Sequence, residues 1–181
     1  AKHGERLTVG CHGLTHRSWA AWPEDREGFE ASLKQATAVL KEKAGGHCRP
    51  WFRAPAGYIA PWMATTLAGQ GYTLDSSVNP SWLVRKKAGK GNSWADVNDA
   101  MAQQGVLERP WATRFSLPVN GPALTKFPLS VIARGVWKKA PSVLTGSELD
   151  AAVPDTTQPL VTLYWHVLDH ARNKATWTPP L

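Results

Sequence analysis

Strands that alternate with helices, and polar residues at the strand ends, put this chain in the α/β class. Three observations carry the prediction. A short apolar run breaks into a Gly- and His-bearing turn, an amphipathic helix follows it, and two more strand signals with a helix between them come next. Such alternation points to a parallel sheet or a β/α barrel, and both gather polar strand-end residues on one face. With 181 residues, 43% of them apolar and 19% charged, the chain has the length and composition to bury the core of one domain, residues 1–181.

Residues 6–11 (RLTVGC) alternate before Gly13 and read as the first strand. Pro23, Glu24 and Asp25 supply proline and acids at a helix start. Phe29, Leu33, Ala36, Leu40 and Ala44 then share one helical face, and Gly45-Gly46 ends the helix. Residues 49–52 form a second strand, and residues 61–68 a second helix with Met63 and Leu67 four apart. A third strand follows at 72–74. Pro80, the basic cluster and Gly89, Gly91 and Asn92 predict a long surface loop over 79–98. Beyond it the pattern predicts a short helix over 96–104, a strand over 106–111 interrupted by Pro110, and a helix over 128–139 burying Ile132 and Val136. Residues 160–165 (LVTLYW) are β-branched, aromatic and uncharged, the composition of a strand covered on both faces.

Composition narrows the function classes. No run of about 18 uncharged apolar residues occurs, so no membrane span is expected. Cys11 and Cys48 make neither a disulfide framework nor a C-x2-C zinc pair. The net charge of +7 attracts anions, but Lys and Arg are scattered apart from Arg85, Lys86, Lys87 and Lys90; beside two glycines these read as a solvated loop in preference to a nucleic-acid patch. Ten Trp against three Tyr suggest a bulky core or indole faces in a cleft, where sugars and cations dock.

The strand ends carry the chemistry. The first strand runs into His12, the second into Arg53, the third into Asp75 and the last into His166, so one rim receives two imidazoles, a guanidinium and a carboxylate. His12 and His16 also have a spacing that suits a divalent metal on one side of a turn. With six histidines a chance pair is common, and His166 and His170 make another. Arg53 read alone is slightly more consistent with an ordinary surface arginine than with a functional one, and Asp75 fits a turn former or cap and a functional carboxylate equally.

Taken together, these segments resemble the polysaccharide deacetylases, the NodB-homology domain of carbohydrate esterase family 4. Residues 9–16 (VGCHGLTH) resemble the family's second motif, 52–57 (FRAPAG) the third, 74–78 (LDSSV) the fourth and 163–166 (LYWH) the fifth, in family order. The resemblance implies a distorted, incomplete (β/α) barrel that removes N-acetyl groups from amino sugars of a polysaccharide or oligosaccharide, in a secreted or cell-envelope setting. It implies His12 and His16 as ligands of a divalent metal, Zn2+ in class, and His166 as the acid that protonates the leaving amine. Arg53 would orient the catalytic base, Asp75 would tune the acid, and the backbone N–H of Ala56 would face the oxyanion. Family members carry adjacent aspartates on the first barrel strand, and this sequence has no adjacent aspartate pair. The expectation is therefore a partial domain, without the first strand and last helix and inactive in isolation. The alternative is a catalytically silent, carbohydrate-binding relative.

Overall fold

The computed structural model describes residues 8–140, 144–157, 159–164 and 166. Four strands, β1 (Val9–Cys11), β2 (Cys48–Phe52), β3 (Leu74–Asp75) and β4 (Leu107–Glu108), form one sheet in chain order. Every pairing in it is parallel. Between successive strands run α1 (Arg26–Ala44), α2 (Met63–Gly69) and α3 (Trp94–Gln103). The α/β alternation read from the sequence is thus present as a parallel four-stranded sheet with helical crossovers.

The caps explain where the helices begin. Asp25 precedes α1 and accepts a hydrogen bond from Gly28 N at 2.9 Å. Ser93 and Asp96 make a reciprocal capping box, so α3 starts at Trp94, two residues before the predicted start; Asp96 is its third residue. The predicted face of α1 is buried at Phe29, Leu33 and Ala36, with Leu40 packed at its margin. Phe52, Met63, Leu67, Val97 and Met101 complete this core, which lies between the sheet and its three helices.

Past β4 the chain forms a hairpin, β5 (Thr113–Arg114) with β6 (Leu117–Pro118), and the helices α4 (Leu129–Lys138) and α5 (Gly146–Ala152). A second cluster joins Val119, Ala123 and Leu124 to Ala133 and Trp137 of α4. The α4 pattern predicted Ile132 and Val136 as the buried pair, but Ala133 and Trp137 are buried instead. Apolar residues run around more than one face of this helix. Its rotation is set by the Trp137 indole, which donates from Nε1 to Val119 O at 3.0 Å.

Two further expectations are corrected. The 79–98 segment, predicted as a long surface loop, carries local order: it holds a 3-10 turn at Trp82–Ala88, opens α3 at Trp94 and buries Asn79, Ser81 and Ala88. Asn79 Oδ1 accepts from Ser81 N, and Ser81 Oγ accepts from Leu83 N, so local side-chain bonds replace water. Residues 160–164 are not a strand covered on both faces. Thr162 makes a single parallel bridge to Trp111, and Val161 is 52% exposed. Trp111–Ala112 supplies the pairing seen there, and it follows Pro110, which has no N–H to extend the ladder. Trp165 and His170 lie outside the described residues.

Candidate active-site cleft

Strand pleating decides which side chains reach the site. The register pairs Trp51 with Leu74 and Leu107, and Phe52 with Asp75 and Glu108. Paired residues of parallel strands share a face, so Phe52, Asp75 and Glu108 turn toward the helices, and Trp51, Leu74 and their alternates Arg53 and Ser76 turn the other way. On that other face lies a cleft of about 440 Å³. Its lining includes His12, Arg53, Ala56, Ser76, Trp111, Tyr164 and His166, and no Asp or Glu among the described residues.

His12 follows β1 and is held by its backbone neighbour across the sheet: its Nδ1–H donates to Arg53 O at 2.8 Å. That bond fixes the tautomer and leaves the Nε2 lone pair free. Burial holds His12 below its usual pKa, the bond to Arg53 O opposes this, and the charges of His16, Arg53 and His166 push the same way as burial. The imidazole is therefore neutral near pH 7, the form a metal ligand needs. His16 has its ring centroid 5.0 Å from that of His12. Among the described residues no third His, Cys, Asp or Glu joins them to make a three-ligand group.

Arg53 leaves β2 and donates from Nε to Ser76 O and from one terminal nitrogen to Ser76 Oγ, both at 3.0 Å. Its guanidinium carbon lies 5.6 Å from the ring centroids of both Trp111 and Tyr164. Burial lowers the guanidinium's pKa, and the charge of Asp75 opposes this most strongly. The two aromatic rings pack at 4.4 Å, and the Tyr164 ring lies 5.3 Å from that of His166. Buried Asn120 ties this wall together, donating to Ala112 O and accepting from Tyr164 N. Two glycines make room for it. A Cβ on Gly57 (φ +71°) would meet the Trp111 ring at 2.9 Å, and one on Gly121 (φ +52°) would meet Tyr164 Oη at 2.8 Å.

Ala56 sits in a 3-10 turn, Pro55–Gly57, with left-handed φ 54° and ψ 14°. The turn's own hydrogen bonds run from Gly57 N to Ala54 O and from Tyr58 N to Pro55 O, and the Ala56 N–H enters neither. Lys87 clamps the turn from outside: its Nζ donates to Ala56 O at 2.6 Å, and its carbonyl accepts from Ile59 N at 3.1 Å.

Asp75 ends β3 but does not line the cleft. It is fully buried, and its carboxylate accepts from Ser77 Oγ at 2.6 Å and from Ser77 N at 3.2 Å. Ser77 Oγ in turn accepts from Ala54 N, next to Arg53. Beside Asp75 stands Glu108, which accepts from Val78 N with one oxygen; no N–H or hydroxyl donor among the described residues reaches the other. The Asp75 carboxyl and the Ser77 N–H also approach Glu108. Burial raises both carboxyl pKa values, and the Asp75 charge raises Glu108 further. Glu108 is raised the more strongly of the two, and the charge of Asp75 is the one felt most at Arg53.

The predicted residues His12, Arg53, Asp75 and His166 thus all lie at the C-terminal ends of the strands or of the Trp111–Thr162 bridge, three of them in the cleft and Asp75 behind it. Sequence reasoning missed Glu108, Ser76, Lys87, Tyr164 and Trp111. Tyr164 was within reach, because it stands two residues before His166 in a run the sequence predicts as a strand, where residues two apart face the same way. Glu108 was also signalled, as the one acid of the 106–111 strand. No protein-family model matches the chain, and no curated protein or solved structure matches it.

Proposed function

We propose that this chain is the body of a metal-dependent carbohydrate N-deacetylase whose strands form part of a distorted (β/α) barrel. The observation that carries the reading is a single cleft lined by His12, Arg53 and His166 and walled by Trp111 and Tyr164. The aromatic wall suits a sugar ring, whose C–H face packs on indole and phenol. His12, with its Nδ1–H committed to Arg53 O, and His16 beside it fit two positions of a Zn2+-class site. When bound, such an ion supplies Lewis acidity toward the acetyl carbonyl.

The other roles belong to the chain itself. The Ala56 N–H, free of the turn's own bonds, stabilises negative charge on the acetyl oxygen. His166, exposed at the cleft, donates a proton to the sugar nitrogen as the C–N bond breaks. Arg53 holds a positive charge at the cleft floor, balanced from behind by Asp75.

Among the described residues, no Asp or Glu lines the cleft to act as a base for water. Positioned general bases contribute about 10²–10⁴-fold, so acetate release is the measurement that separates an enzyme from a silent binder. This same absence favours the second reading, a silent carbohydrate-binding relative. The test is to measure binding of an N-acetylglucosamine oligomer and, with Zn2+ present, acetate release. Binding that Trp111→Ala abolishes is expected. Robust release lost in His166→Ala would favour the enzyme over the silent binder, whereas failure of the oligomer to bind would overturn both.

A further inference from the structure

We infer that the sugar chain served by this cleft is anionic, and that Arg85, Lys86 and Lys90 form a cationic edge at the cleft mouth that takes its negative groups. The inference rests on the carbohydrate reading above. Its geometric support is Lys87. The Lys87 ammonium lies 2.6 Å from Ala56 O, and Ala56 lines the cleft, so the 3-10 turn Trp82–Ala88 flanks the opening. Arg85 and Lys86 lie on that turn and Lys90 just past it, all three exposed.

Among the described residues Arg85, Lys86, Lys87 and Lys90 enter none of the ion pairs, which involve Arg17, Arg26, Lys43 and Arg49. Burial, followed by the neighbouring charge of Lys86, lowers the Lys87 pKa, so the like charges lie close enough to repel. The cleft beside them adds the Arg53 guanidinium, with no lining carboxylate among the described residues. A concave surface and its edge with one sign of charge focus potential and concentrate anions. Trp82, 60% exposed on the same turn, offers an apolar face to a further sugar ring. A uronate-bearing glycan satisfies both features. The cations sit at one edge of a pocket and do not form an extended stripe, which disfavours a nucleic-acid backbone.

The test compares three ligands of equal length by calorimetry at low and high salt: an oligomer alternating glucuronate with N-acetylglucosamine, a neutral N-acetylglucosamine oligomer and a single-stranded oligonucleotide. The uronate oligomer should bind more tightly than the neutral one, with a gap that closes as salt rises. In R85A/K86A/K90A, which keeps Lys87, its affinity should fall about tenfold, the size three exposed charge contacts would give. Binding of the neutral oligomer should be unchanged, which also reports that the variant is folded, and the charge-conserving R85K/K86R/K90R should retain the preference. Equal affinity for the two glycans, or an unaffected triple variant, would overturn the cationic edge and leave the carbohydrate cleft standing. Failure of both glycans to bind would overturn the two together. An oligonucleotide that binds more tightly than the uronate oligomer and displaces it would overturn the assignment to a glycan.

Discussion

The two faces of the parallel sheet end in opposite electrostatics. Toward the cleft stands the Arg53 guanidinium without a lining carboxylate among the described residues; toward the helices stand Asp75 and Glu108, both carboxyls buried. One residue of strand pleat separates Phe52 from Arg53 and Asp75 from Ser76, so the pleat sorts charge by face. The difference shows how a guanidinium can be held at the floor of a largely apolar cleft: its counter-charge lies behind the strand and leaves the cleft cationic.

The largest effect should come from removing that counter-charge. In Asp75→Ala the Arg53 guanidinium, which cannot shed its proton, keeps its bonds to Ser76 but loses the charge behind it, and Ser77 N and Oγ lose their buried acceptor, so stability should fall by about 2–3 kcal/mol. Arg53→Ala should cost less. The carboxyl pair behind it can take up a second proton, and neutralisation is open to an acid where it is closed to arginine. Urea unfolding of both variants checks the order, and equal losses would mean that the two faces do not communicate.

Glu108→Gln sharpens the comparison through pH. Because the folded pKa of Glu108 is raised above its ordinary value of 4.5, the native state binds the extra proton between the two values. Stability contributed by this group is therefore full below the ordinary value and is lost as pH rises toward the folded one, at up to about 1.4 kcal/mol per pH unit. Glutamine keeps a donor toward Asp75 and cannot ionise. The variant should show a flatter stability profile across that window, read from thermal unfolding at a series of pH values, while an unchanged slope would mean that Glu108 is ionised in the fold.

The smallest effect belongs to the surface. Ser93→Ala removes the capping box of α3 far from the sheet's charge sorting and should cost about 1 kcal/mol. It should leave the pH profile of the buried pair unchanged.

How much of this was legible in the sequence follows the range of the forces involved. The buried residues of α1 and the four-residue spacing of Met63 and Leu67 were readable because helical periodicity is local. His12, Arg53 and Asp75 were readable because polar residues that end apolar strands collect on one side of a parallel sheet. The inward turn of Asp75 was not, because the third strand was read as 72–74 and its true register, Leu74–Asp75, is set by pairing with β2 and β4. Glu108 stands out in the sequence as the one acid of its strand, but its inward turn beside Asp75 is set by that same pairing. Lys87 was hidden for a related reason: a basic run beside glycines looks like a solvated loop until the chain folds back 31 residues to meet Ala56 O. The weak pairing of 160–164 depends on Pro110 and Trp111, fifty residues away, which no local pattern shows.

The account depends most on His12 presenting a free, neutral Nε2 toward the cleft beside His16. Calorimetric titration with Zn2+ tests this directly. Two imidazoles are fewer than the three protein ligands usual in catalytic zinc sites, so binding should be weak, should be abolished by His12→Ala and should be weakened by His16→Ala. Tight Zn2+ binding that survives both substitutions would contradict the account and direct attention to His166, His170 or Cys48.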